Sequence, residues 1–200
     1  PAYQPATPEM KHDWAQYYDK LEDMDKQVEE FLKELEDAGL ADNTIVFYYG
    51  DNGGVLPRSK RFMYESGLHV PLIIRLPKKY AHLAPGIVGS RTDRVVTFVD
   101  FAPTVLSLAG VKIPAYMQGH AFLGKQQTKE QEYGFSFRGR MDERIDLVRS
   151  TRDKQYRYIR NYYPHKIYGQ YIRYLWNAPS MKSWDEAFRA GKLNEVQSRF

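Results

Sequence analysis

The segment Thr44-Ile45-Val46-Phe47-Tyr48-Tyr49 constrains this chain most: β-branched and aromatic residues run without polar alternation and stop abruptly at Gly50-Asp51-Asn52-Gly53-Gly54. A strand with one wet face alternates apolar and polar positions, so an unbroken run predicts a strand covered on both faces. Val70-Pro71-Leu72-Ile73-Ile74-Arg75 reads as a second such strand, with Pro71 near its start, where no ladder N–H is required. Upstream, Leu21, Met24, Val28, Phe31, Leu32 and Leu35 recur at helical spacing. That periodicity predicts an amphipathic helix over roughly residues 12–38, ended by Gly39.

Residues 77–92 read as loop. Arg94–Val99 is a third candidate strand leading into Asp100, an N-cap for a helix over Phe101–Ala109, with Pro103 in the permissive first turn and Gly110 past its end. Strand, loop and helix alternating in this way predict an α/β fold. The character changes near residue 130. Glu132–Phe137 reads as a strand, and Leu147–Thr151 with Gln155–Arg160 as a hairpin around Arg152-Asp153-Lys154. Capping-box pairs Ser183/Glu186 and Asn194/Gln197 predict short terminal helices. The expected organisation is therefore an α/β unit over residues 1–130 and a small antiparallel unit over 131–200.

Two hundred residues suffice for one compact core. The net charge of +4 conceals an asymmetry: residues 9–37 hold eleven acids against four Lys, and residues 138–173 ten Lys/Arg against four acids. With no cysteine, disulfides and thiolate metal sites are excluded. No stretch approaches the ~20 consecutive apolar residues of a membrane span, so no membrane partner is expected. The opening Pro1-Ala2-Tyr3-Gln4 lacks the basic flank and apolar run of a signal peptide.

Ligands of open α/β sheets bind at the carboxyl ends of strands, which is where Asp51-Asn52 falls. Taken alone, Asp-Asn-Gly is an ordinary tight turn. Its context is more specific: Lys60 follows, then Tyr64-Glu65-Ser66-Gly67, the Val70-Pro71 strand, Val99-Asp100-Phe101-Ala102-Pro103-Thr104-Val105-Leu106-Ser107-Leu108-Ala109-Gly110, and Met117-Gln118-Gly119. In this order these segments resemble the sulfatase family of the alkaline-phosphatase superfamily, and Arg138–Asn161 is similar to a bacterial branch that includes enzymes of glycosaminoglycan-like substrates.

The resemblance implies part of an alkaline-phosphatase-like sheet with flanking helices, from the carboxy-terminal part of an enzyme that cleaves a sulfate ester, plausibly on a glycan. It implies metal-ligand roles for Asp51 and Asn52, whose oxygen-only donors suit Ca²⁺ better than zinc. It implies a catalytic and substrate-binding ammonium at Lys60, where it meets sulfate oxygens. His69, where many relatives carry Arg, is a further substrate-binding candidate, and Arg138, Arg140 and Asp142 are candidates on the rim of the pocket. Glu65 is expected to tie its loop to backbone amides, and Arg58 and Arg61 to add positive potential beside Lys60.

The family's nucleophile is a formylglycine made in a Cys/Ser-x-Pro-x-Arg motif, and an Asp-Asp pair completes its metal site. Neither motif occurs in these residues. The expectation is thus an inactive fragment carrying half of a metal site, whose partner is the amino-terminal half of the same enzyme. Apolar surface left by that half would be exposed or would self-associate. The resemblance places the parent enzyme in the periplasm or outside the cell.

Two other readings compete. One is a phosphodiesterase or phosphonate hydrolase of the same superfamily, disfavoured because Asn stands at position 52 where such relatives often have His. The other is a non-enzymatic module binding an anionic polymer through the Tyr- and Arg-rich stretch 138–174. Against it stands a hairpin whose Tyr side chains pack on the sheet with charges outward, the preferred reading, so no nucleic-acid partner is expected.

Overall fold

The computed structural model describes residues 1–87 and 89–200. Helix α1 spans Pro8–Asp37, starting earlier than its apolar periodicity indicates. The Thr7 hydroxyl accepts the Met10 N–H at 3.1 Å, and Pro8 brings a helical φ to the first turn. Strands β1 (Val46–Tyr49) and β2 (Leu72–Arg75) pair antiparallel, with Val46 opposite Arg75 and Tyr49 opposite Leu72. Between them lies the one-turn helix α2, Glu65–Leu68.

Helices flank β1 on both faces, as its unbroken apolar run requires. On one face the Tyr48 hydroxyl donates to Met24 Sδ of α1 at 3.0 Å. On the other, Phe47 and Tyr49 pack against Phe101 of helix α3 (Phe101–Leu108), with ring centroids 6.4 and 5.0 Å away. Coverage is nevertheless incomplete: β2 alternates half-buried and exposed positions, and Ile73 is 62% exposed. The cause is a sheet of only two strands among the described residues.

The strand expected over Arg94–Val99 does not form among the described residues. Side chains take the place of a neighbouring strand: Val95 N–H donates to Glu130 Oε1, and Val95 C=O accepts from Gln131 Nε2, both at 3.3 Å. The loop expected over 77–92 contains a 3₁₀ segment, Lys78–Leu83, and its Val88 lies outside the described residues. Asp100 does more than open α3. Its buried carboxylate accepts from the Thr97 backbone N–H (2.7 Å) and hydroxyl (2.9 Å), from Gln131 Nε2 (2.7 Å) and from His120 N–H (2.8 Å). This fastens the 120–131 segment to the foot of the helix. At Gly119 an added Cβ would meet Val99 O at 1.9 Å, so the glycine permits that approach.

The antiparallel unit is present, in the order β3 (Gly134–Met141), β4 (Arg144–Arg152), β5 (Arg157–Asn161). A tight turn with Asp142 at φ 49° joins β3 to β4. Asp153 closes the second hairpin by accepting the Gln155 and Tyr156 N–H groups at 2.7 and 2.6 Å. Helix α4 runs from Pro179 to Arg189, so Ser183 is inside it rather than at its cap. Its amino end is served by α1, whose Asp13 accepts the Ser180 N–H at 2.9 Å. The Asn194/Gln197 pair does form a reciprocal box, at 2.9 and 3.2 Å.

The main core sits where the two halves of the chain meet. Phe62, from the loop after β1, is buried with Ile172, Leu175 and Met181, and Phe200 packs edge-on to its ring at 4.9 Å.

Candidate functional site

The loop after β1 is built around two glycines. Gly53 N–H donates to Gly67 C=O at 3.0 Å, docking the Asp51-Asn52-Gly53 turn on α2. A Cβ on Gly53 would lie 1.9 Å from Ser66 O, and one on Gly67 2.3 Å from Phe62 O, so no larger side chain fits at either position without moving backbone. Ser59 and Ser66 lock the loop from within: Ser59 Oγ donates to Ser66 C=O at 2.7 Å, and Ser66 Oγ to Arg58 C=O at 2.8 Å.

Lys60 is held against the same turn. Its N–H donates to Gly54 C=O at 3.0 Å, returning the chain to a point just past Asn52. The half-buried Lys60 lines a small crevice with Leu56, Arg61, Tyr174 and Ala178. On either side, Arg58 and Arg61 adopt φ of 64° and 78°, a conformation costly for a side-chain-bearing residue and held only where surroundings over-determine it. Those surroundings are aromatic. The Arg58 guanidinium lies 3.7 Å from the Tyr64 ring and 4.2 Å from that of Tyr3, and Arg61 lies 4.2 Å over Tyr174 while its Nε donates to Asp142 at 2.6 Å. Both arginines thus act as clasps, and the charge of Arg61 is matched by Asp142.

Asp51 is exposed and Asn52 half-buried at the carboxyl end of β1. They offer oxygen donors of the kind Ca²⁺ prefers, but a Ca²⁺ ion takes ~6–8 oxygens. Among the described residues no group of three or more His, Asp or Glu could hold a metal, so the fit is chemical in kind and incomplete in number.

Asp142 comes beside the Lys60 loop through Arg61, and Arg140 stays at the exposed hairpin tip, its Nε donating to Asp142 C=O at 2.8 Å. Exposed His69 places Nδ1 3.0 Å from Glu65 Oε1. Arg138 is elsewhere than on the rim. It is 2% exposed, its Nε is 3.1 Å from Asp146 Oδ2 in poor hydrogen-bonding alignment, and its guanidinium sits 4.9 Å from the Phe62 ring centroid. It offers no surface to a substrate because β3 turns this position toward the core.

Glu65 is tied to side chains rather than to the expected backbone amides. It accepts from Arg152 Nε at 2.9 Å and from Arg157 Nε at 2.9 Å, joining α2 to strands β4 and β5. Partial burial acts to raise its carboxyl pKa, but Arg157 and Arg152 together outweigh this and hold it below the ordinary value. Sequence reasoning missed this clasp because its partners stand far along the chain; the concentration of arginine in 138–173 was its only signal.

A loop locked by glycines between a strand tip and a carboxy-terminal antiparallel sheet is matched by two family descriptions. "Sulfatase" covers residues 1–111, and "N-sulphoglucosamine sulphohydrolase, C-terminal" covers residues 58–184. The chain belongs to the sulfatase family. Among sulfatases it is 44% identical over 200 residues to an "Ulvan-active sulfatase" of Formosa agariphila, an alignment covering 100% of this chain and 33% of that protein. It is 41% identical over 100 residues to an "N-acetylglucosamine-6-O-sulfatase" of Bacteroides thetaiotaomicron, covering 48% of this chain and 17% of the other. A solved structure of a protein in complex with its substrate D-glucosamine-2-N,6-O-disulfate superposes with TM-score 0.58 and 30% identity, over 70% of this chain and 30% of that one. The sheet and its flanking helices are therefore part of the alkaline-phosphatase-like sulfatase fold, and the chain spans about a third of the length of such relatives. The second match begins at Arg58, so the Lys60 loop falls in both, as its packing into the carboxy-terminal core requires.

Proposed function

We infer that these residues form the sulfate-facing part of a sulfatase that hydrolyses sulfate esters on a glycan in the periplasm or outside the cell. What supports this reading is the docking of the Asp51-Asn52-Gly53 turn on the Lys60–Gly67 loop, which brings the backbone bearing Asp51 and Asn52 beside the backbone bearing Lys60. The Asp51 carboxylate and Asn52 carboxamide would supply oxygen ligands to a Ca²⁺ ion, the remaining ligands coming from polypeptide outside these residues. A formylglycine in that polypeptide would supply the nucleophile. Lys60 binds a sulfate oxygen and, as the ester bond breaks, offsets negative charge on the sulfate and the departing oxygen.

His69, Arg140 and Asp142 orient the sugar. With Nδ1 of His69 engaged by Glu65, Nε2 is the atom left for a substrate hydroxyl or sulfate. Arg140 and Asp142 contribute from the hairpin tip, Asp142 also fixing Arg61 beside Lys60. Arg138 supports the loop from behind Phe62.

The test is sulfate release from ulvan oligosaccharides, followed by ion chromatography, in the full-length enzyme containing these residues. Lys60→Ala is expected to lower kcat by about 100-fold or more, Asp51→Asn to raise the Ca²⁺ needed for activity, and the 200-residue chain alone to release no sulfate. Undiminished turnover by Lys60→Ala, or hydrolysis by the isolated chain, would defeat the reading.

A further inference from the structure

The three-stranded sheet is inverted relative to an ordinary surface sheet. Its inward positions include the buried ion pair Arg138–Asp146, whereas β3 sends Phe135 and Phe137 outward, 76% and 75% exposed. Strand register places these rings in rows with their neighbours. Phe135 is opposite Thr151, which is opposite Tyr158; Phe137 is opposite Arg149, which is opposite Arg160. Cross-strand partners share a face, so two Phe, one Tyr and two Arg form a single outer patch. Arg149 leans over Phe137 at 5.4 Å, and Arg160 over Tyr162 at 4.7 Å.

Of the arginines in the sheet, Arg138, Arg152 and Arg157 are ion-paired, and Arg140 and Arg144 donate to the backbone carbonyls of Asp142 and Tyr171. Among the described residues Arg149 and Arg160 have no ion pair, Arg149 donating one N–H to the Val148 carbonyl, and neither row contains a carboxylate. Tyr side chains packed on the sheet with the charged side chains outward was the expected arrangement; here rings and charges stand together in solvent. Contiguous exposed aromatics mark an interaction surface.

We propose that the outer face of β3, β4 and β5 is a binding platform for a sulfated polysaccharide, separate from the Lys60 site. Sugar rings present flat C–H faces that stack on Phe135, Phe137 and Tyr158, and sulfate oxygens accept from the forked N–H groups of Arg149 and Arg160. Charge selects this occupant over a second copy of the chain. A two-fold contact through the patch would bring Arg149 and Arg160 against the same residues of the partner with no acid between them. The platform would hold a polymer near the enzyme between cleavages, raising the local concentration of sulfate esters without itself touching the reacting bond. It rests on the proposed function only for the ligand class.

The experiment is affinity electrophoresis of the 200-residue chain through gels containing ulvan or chemically desulfated ulvan, with light scattering on the same samples. Ulvan is expected to retard the chain and its desulfated form to do so weakly. The pairs Phe137→Ser/Tyr158→Ser and Arg149→Ala/Arg160→Ala should each weaken retardation about tenfold. Because these side chains point outward, both pairs should keep the wild-type thermal midpoint. Lys60→Ala should remain retarded, which separates this platform from the catalytic reading: loss of turnover with retained retardation leaves both standing. The platform is overturned if the wild type migrates freely, if both pairs remain fully retarded, or if Lys60→Ala alone abolishes retardation. It is also overturned if the aromatic pair dissolves a dimer, or if single-stranded DNA of equal charge binds as tightly as ulvan.

Discussion

The loop carrying Lys60 and the antiparallel sheet beneath it solve opposite problems. The loop buries backbone and keeps its candidate metal ligand at the surface: Gly53, Gly67, Ser59 and Ser66 are held through carbonyls, hydroxyls and an N–H group while Asp51 stays in water. The sheet buries an ion pair and leaves aromatic rings outside. The difference shows which region supports the other. The loop has little apolar core of its own apart from Phe62 and its neighbours, and Phe62 packs on Ile172, Leu175 and Met181, with Arg138 against its ring. The candidate site of the first half is thus positioned by the second.

The most severe way to break that dependence is Asp146→Ala. Removing one partner of a buried ion pair leaves an uncompensated guanidinium behind Phe62, at a cost of about 3–5 kcal/mol. Urea denaturation should show this, and Arg138→Met with Asp146→Leu should recover most of it. A shift below about 1 kcal/mol for Asp146→Ala would mean that Arg138 is hydrated rather than paired.

Next in size is Gly53→Ala, whose Cβ meets Ser66 O at 1.9 Å; it should destabilise by about 3 kcal/mol. Gly139→Ala, where a Cβ meets nothing within 4 Å, is its control and should leave the denaturation curve near wild type. Equal effects at the two positions would remove the case for a glycine-locked loop.

Glu65 sharpens the comparison because it fastens the loop to the sheet directly. Its folded pKa is depressed, so its contribution is present above the ordinary value of 4.5 and is lost as pH falls through the lower folded value. With the side chain 47% exposed, screening limits the effect to about 1 kcal/mol or less. Thermal midpoints from pH 7 down to pH 3 should fall less steeply for Glu65→Gln than for wild type, and parallel profiles would count against the clasp. The smallest effect belongs to the acidic helix. Lys20 and Asp23 are paired at 2.7 Å on the exposed face of the helix, so Lys20→Ala should leave the midpoint unchanged in differential scanning calorimetry.

Much of the fold was legible because local rules and tertiary demands agree. Within the unbroken run 44–49, Val46–Tyr49 is a strand between two helices, Gly39 ends α1, and Asp153 closes the hairpin where the charge-rich turn stands. The Asn194/Gln197 box forms as its spacing requires. Reading failed where partners are remote. Arg94–Val99 has strand composition but finds Glu130 and Gln131 instead of a ladder, and Ser183 has the spacing of a cap but Asp13 already serves that helix end.

Within the candidate site the same division holds. Asp51, Asn52 and Lys60 were singled out by motif order, and the glycine contacts explain why those spacings allow the turn and the Lys60 loop to dock. Arg138 could not be separated in sequence from Arg140, because residues two apart share a face in a regular strand, and the register shift between them, which leaves one buried and the other exposed, has no local signal. By itself the sequence determined the family, the end of α1, the start of α3 and which residue types stand at a strand tip, since these depend on neighbours within a few residues. Tertiary structure alone decided which charges are buried, which rings face water and what holds the Lys60 loop, since each depends on contacts between segments remote in the chain, as in Glu65 with Arg157 and Phe62 with Phe200.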